Sequence, residues 1–135
     1  MTGNLLTALV LVVTLCSATL VTHNALAAEI APEQAKDHVG REVTVKMLVK
    51  AAKNRLEKRG LVYLDSDADF ASPTNLAVLI KRSAADEMKT AGIDDPAAHF
   101  GDKWIRVQGT VVRDEDQTRI FVEKASQIEL VKEEK

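Results

Sequence analysis

The stretch that most constrains this chain is residues 101–131, GDKWIRVQGTVVRDEDQTRIFVEKASQIELV. Trp104, Arg106, Gln108 and Thr110 alternate there with Ile105, Val107, Gly109 and Val111. A period of two means a strand with one buried face. Residues 113–119 read as a polar loop, and a second strand follows through Ile120, Phe121 and Val122. A long hairpin with a glycine inside its first strand suits a small, strongly bent barrel, because glycine lets a strand coil.

Charge divides the chain in two. All 18 Lys and Arg and all 20 Asp and Glu come after Ala28. The apolar run 5–21 ends in Asn24-Ala25-Leu26-Ala27-Ala28, and small residues at Ala25 and Ala27 fit a signal peptidase site. Residues 1–27 are therefore expected to be a signal peptide, with cleavage between Ala27 and Ala28. The n-region departs from the usual pattern, since MetThrGlyAsn carries no Lys or Arg. The alternative is an uncleaved anchor, but the run is shorter than the roughly 20 residues that span a bilayer, and no basic residue flanks it to fix topology. A lipoprotein signal at Cys16 is disfavoured by Leu15, where a small residue is needed.

Cleavage leaves residues 28–135 as a single domain without cysteine, a periplasmic or secreted protein held by its hydrophobic core alone. A chain of this size buries one core and no more. Its net charge of −2 sets up no global field for nucleic acid or anionic membrane, so electrostatic binding needs a local patch.

Pro32 and Glu33 open a short helix that Gly40 stops. Strand one is expected over residues 41–51, with Val43, Val45, Met47 (or Leu48) and Val49 pointing inward. Leu61-Val62-Tyr63-Leu64 makes strand two, and the apolar Leu76-Ala77-Val78-Leu79-Ile80 makes strand three. Helical spacing takes over from Ser83 through Met88 to Ala91, Gly92 ends it, and Pro96 starts one more short helical turn.

Three strands, a helix and a closing hairpin is the order of the five-stranded OB fold. The chain resembles small exported OB-fold proteins, and the OB domains attached to nucleases and helicases. The matching residues are His38-Val39-Gly40-Arg41-Glu42-Val43-Thr44-Val45, Val62-Tyr63-Leu64-Asp65-Ser66, Ile105-Arg106-Val107-Gln108-Gly109-Thr110-Val111, Ile120-Phe121-Val122 and Ser126-Gln127-Ile128. The resemblance implies a mainly β, five-stranded OB barrel with a helix between strands three and four. It does not imply a ligand, because the fold serves many functions.

On that plan, KAAKNRLEKRG lies at the tip of the first hairpin, where OB folds grip oligonucleotides and oligosaccharides. Lys50, Lys53, Arg55, Lys58 and Arg59 are the candidate contacts to a polyanion, a nucleic acid or an anionic glycan. Tyr63 on strand two, Lys81 and Arg106 are supporting candidates, and the other aromatic residues are expected mostly in the core. The bland alternative for the basic run is a solvated hairpin tip. The second functional reading is an interaction module for an envelope protein.

Asp65-Ser66-Asp67-Ala68-Asp69 opens like a calcium loop, but Phe70 and Leu76 stand where glycine and glutamate are required, so it reads as a polar turn. His38 and His99 lack ligand-spaced partners, and no nucleophile motif or glycine-rich phosphate loop is present. The expectation is a binding protein without catalytic residues, metal or cofactor.

Overall fold

The computed structural model describes residues 28–132. The expected signal peptide, Ala27 included, lies outside the described residues. Among those residues no helix is long and apolar enough to cross a membrane.

In chain order the strands are β1 (Glu29–Ile30), β2 (Glu42–Leu48), β3 (Ala51–Arg55), β4 (Leu61–Asp65), β5 (Leu76–Lys81), β6 (Trp104–Asp114), β7 (Gln117–Val122) and β8 (Ile128–Leu130). Helix α1 (Leu56–Arg59) lies between β3 and β4, while α2 (Arg82–Thr90) and α3 (Pro96–Phe100) separate β5 from β6. The N-terminal helix expected at Pro32 is a 3-10 helix over Pro32–Asp37.

Among the described residues there are thus eight strands where the sequence suggests five. The expected first strand is broken at Val49-Lys50. The Val49 amide donates to the Lys103 carbonyl and the Lys50 amide to the Asp65 carbonyl, so the chain leaves β6 and joins β4 at that point. β2 and β3 are two halves of one sharply bent strand. β1 and β8 are further additions of two and three residues, too short to show any alternation.

The order β1-β2-β6-β7-β5-β4-β3, with β8 also on β6, closes once β2 and β3 are joined. β5 and β7 run parallel and the other long pairs antiparallel. That is the Greek-key barrel of the OB fold, with the α2–α3 segment leading from its third long strand to its fourth.

Val43, Val45, Met47 and Val49 all point into the barrel, as their alternation required, and meet Leu64, Ile80, Ile105 and Ile120. Helix α2 closes one side with Ala84, Ala85 and Met88. Gly109 is needed where β6 exchanges β2 for β7. A Cβ there would stand 2.7 Å from Cγ2 of Ile120, inside the packed core.

Two expectations are corrected. Residues 113–119 are not a loop: β6 and β7 pair as far as Asp114 and Gln117, leaving a two-residue turn at Glu115-Asp116. The aromatic residues are not mostly core. Phe100 is buried at 2 % exposure, whereas Phe70 is 60 % exposed and Trp104 36 %. Tyr63 and Phe121 are half-buried on the outer face of the barrel, because they fall out of phase with the inward Val62, Leu64, Ile120 and Val122.

Candidate functional site

Alternation fixes what the outside of β3, β4, β5 and β7 presents. Lys53, Tyr63, Leu79 and Phe121 are register partners across the four strands and form one row. On one side runs the row Ala51, Asp65, Ala77, Arg119, and on the other Arg55, Leu61, Lys81. Leu79 is only 1 % exposed although it faces away from the core, as expected for a leucine flanked by Tyr63 and Phe121.

The run 50–60 is not a simple loop. Lys53 and Arg55 stand on β3, then Lys58 and Arg59 follow on the single turn of α1, which Gly60 ends at a φ of 67°. Asn54 sets this turn, its side-chain oxygen accepting from the Leu56 amide at 3.1 Å while its NH2 donates to Asp95 at 3.0 Å. The strand-to-turn path swings all four cations around one groove of about 530 Å³. Tyr63, Asp65, Phe70, Asn75, Ala77, Gln117 and Arg119 complete its lining.

Five of the eight sequence-predicted contacts, Lys53, Arg55, Lys58, Arg59 and Tyr63, therefore meet in one place. Lys50 is exposed at the β2–β3 bend beside the groove. Lys81 shares the outer face but its ammonium is held 2.8 Å from Glu123 and 5.2 Å from the Phe121 ring centroid. Arg106 is elsewhere. It stands on β6 opposite Lys46, bonded to Glu29 at 2.7 Å and Glu129 at 3.1 Å, and so ties β1 and β8 to the barrel.

The groove also recruits residues that sequence reasoning missed. Phe70 sits on the 66–75 loop, with the Lys53 ammonium 6.0 Å from its ring centroid. Asn75 folds that loop, donating to Asp65 at 3.0 Å and accepting from the Asp67 amide at 2.9 Å, while Ser66 accepts from the Leu76 amide at 2.8 Å. The acidic stretch is therefore a turn built on its own side chains. Gln117, Arg119 and Phe121 share one face by period two, a signal hidden by reading 113–119 as a loop.

Burial pushes the Asp65 carboxyl above the usual carboxylate range, partly offset by the Asn75 hydrogen bond and the charge of Lys53. Asp67 goes the other way, lowered by bonds from the Asp69 amide and the Ser72 side chain, with a smaller pull from Lys50. Arg119 donates to Asp114 at 3.1 Å and to Gln117 at 2.7 Å, and its Nε–H is buried with no partner among the described residues. Among the described residues none of Lys53, Arg55, Lys58 and Arg59 forms an ion pair. Likewise, among the described residues no group of three or more His, Cys, Asp or Glu converges as metal ligands would.

No protein-family model matches the sequence, and no curated protein is significantly similar to it. Solved structures do match. An aspartyl-tRNA synthetase from Entamoeba histolytica superposes with a TM-score of 0.52 at 15% identity, over 80% of this chain and 22% of that one. An asparaginyl-tRNA synthetase from Pyrococcus horikoshii gives 0.51 at 14% identity, over 76% and 22%. A protein described as an aspartyl-tRNA synthetase from Leishmania major Friedlin gives 0.53 at 15% identity, over 84% and 22%. The likeness is one of fold. The chain spans about a fifth of the length of these enzymes.

Proposed function

We propose that this chain is an exported, non-catalytic binding module that takes a single-stranded nucleic acid along the outer face of its barrel. One observation carries the reading: four cations with no ion pair among the described residues converge on a groove that also holds the half-buried Tyr63 ring and the exposed Phe70 ring. Cations neutralise phosphates and release counterions, and aromatic rings stack bases without regard to sequence. A sulfated glycan would use the cations but gain little from two flat rings, so nucleic acid is the favoured polyanion. The tRNA synthetases that share the fold support testing nucleic acid first. Export rests on the apolar, uncharged residues 1–27 and the small residues before Ala28.

Fluorescence anisotropy with labelled single-stranded DNA and RNA at low salt tests the binding. Affinity should fall with salt at a log–log slope of about −3 if four phosphates are neutralised. Changing Lys53, Arg55, Lys58 and Arg59 together to Glu should abolish binding, and Tyr63→Ala or Phe70→Ala should each weaken it by about 1–3 kcal/mol. If neither DNA nor RNA binds, the reading is wrong: a sulfated glycan that binds instead becomes the polyanion, and failure of all three makes an envelope protein the partner to seek by pull-down. Mass spectrometry of the exported protein should find Ala28 as its first residue.

A further inference from the structure

The floor of the groove differs from its rim. The rim is cationic and aromatic, while the floor is the register row Asp65, Ala77, Arg119. Neighbouring strands are about 4.8 Å apart, so Asp65 and Arg119 stand roughly 10 Å from each other with only a methyl group between them. The result is a trough over Ala77, walled on one side by the Tyr63–Leu79–Phe121 row.

Its two ends carry opposite hydrogen-bonding character. Asp65 accepts one bond at Oδ1 from Asn75, and among the described residues Oδ2 has no partner. At the far end the guanidinium of Arg119 is fixed by Asp114 and Gln117, and its Nε–H, shut off from the surface, has no acceptor among the described residues. Gln117 spends its oxygen on Arg119, so its NH2 remains a donor. A site that offers an acceptor at one end and a donor at the other discriminates against a ligand that leaves either unpaired, so Asp65 Oδ2 and the Gln117 NH2 favour a ligand with matching atoms.

We propose that this trough is a base-specific subsite for guanine, set into an otherwise sequence-tolerant groove. The inference rests on the nucleic-acid reading above. Guanine alone among the common bases has two adjacent N–H donors, N1–H and the N2 amine, on the edge that a carboxylate can accept as a pair. Its O6 and N7 acceptors lie on the neighbouring edge, where the Gln117 amide can donate. Cytosine and adenine each offer a carboxylate one amine, and thymine offers one N–H between two carbonyls that Asp65 would repel. The burial that raises the Asp65 carboxyl is consistent with a group short of donors, and two donated N–H bonds would favour its charged form.

The test uses thymine-tract DNA of about nine nucleotides, a length suited to one OB fold, with a single central dG, dA, dC or deoxyinosine. Anisotropy should show the dG strand binding about tenfold tighter than the plain tract, with dA and dC giving no such gain. Deoxyinosine, which lacks the N2 amine, should lose most of the advantage. Asp65→Asn should bring the ratio of dG-strand to plain-tract affinity down to about one, whatever it does to the affinity for the tract itself. Should that variant fail to fold, the inosine comparison still decides with the unaltered protein. Equal affinity for all central bases overturns this subsite and leaves the groove reading standing. No binding by any strand overturns both.

Discussion

Asp65 shows how one residue can carry both a structural cost and a functional opening. It sits at the end of β4, 6 % exposed, with its carboxyl raised above the ordinary value because burial outweighs Asn75 and Lys53. A carboxyl whose folded pKa exceeds its unfolded one binds protons more tightly in the folded state. Its contribution is therefore most favourable at low pH and is lost as pH rises through the raised value. The stability difference between the wild type and Asp65→Asn should shift against the wild type as pH rises from about 3 to 7, since Asn keeps the bond from Asn75 without the charge. Urea unfolding of both proteins across that range measures it, and parallel curves would show that Asp65 ionises freely. Nothing in the sequence announced this. Asp65 reads there as the first letter of a polar turn, and its burial depends on the loop that Asn75 folds over it. Phe70 was hidden for the same reason: hydropathy assigns a phenylalanine to the core, and only the path of the loop leaves it outside.

At the scale of elements, the long strands and the α2–α3 segment were legible because each repeats its period several times. The break at Val49-Lys50 was not: the inward set Val43, Val45, Met47 and Val49 gives way to Ala52, a shift of one residue that two adjacent alanines at 51 and 52 leave without any hydropathy signal. Nor was the β6–β7 turn. Glu115 and Asp116 adopt φ values of 45° and 64°, the two consecutive positive angles of a type I′ hairpin that Asn-Gly would normally signal. Glutamate is poorly suited to that conformation. Replacing Glu115-Asp116 by Asn-Gly should therefore stabilise the fold by about 1 kcal/mol, read as a higher urea midpoint with an unchanged slope. A lower midpoint would mean that the turn is not of this type. Gly109 makes the opposite prediction. Gly109→Val drives a branched side chain at Ile120 and should cost about 1–3 kcal/mol or more, whereas unchanged thermal stability would contradict the packing of β6 against β7. Arg106 also acts at this scale. The sequence offers it as a ligand contact, but its bonds to Glu29 and Glu129 make it a clasp for the two shortest strands among the described residues. In Arg106→Met, amide exchange should accelerate at Ile30 and Leu130 while oligonucleotide affinity stays unchanged.

Across the whole molecule, charge and core are kept apart. The barrel is held by a continuous apolar interior, and Lys53, Arg55, Lys58 and Arg59 stand on its outer face without ion pairs among the described residues. The chain is slightly acidic overall, and β3 and α1 concentrate four cations against that background, which is where a polyanion would be drawn in. That arrangement separates the requirements of folding from those of binding. Like charges crowded around one groove repel, and among the described residues removing them breaks no ion pair and only the long Lys53–Phe70 contact, so each exposed substitution should move stability by no more than about 0.5 kcal/mol. The combined variant Lys53→Gln, Arg55→Gln, Lys58→Gln, Arg59→Gln should accordingly melt at the wild-type temperature or above it. In the same preparation the salt-dependent affinity for single-stranded DNA should disappear. Differential scanning calorimetry and anisotropy read the two effects side by side. A variant that loses both stability and binding would show that these side chains build the hairpin rather than serve a ligand, and a variant that keeps both would move the binding face elsewhere on the barrel.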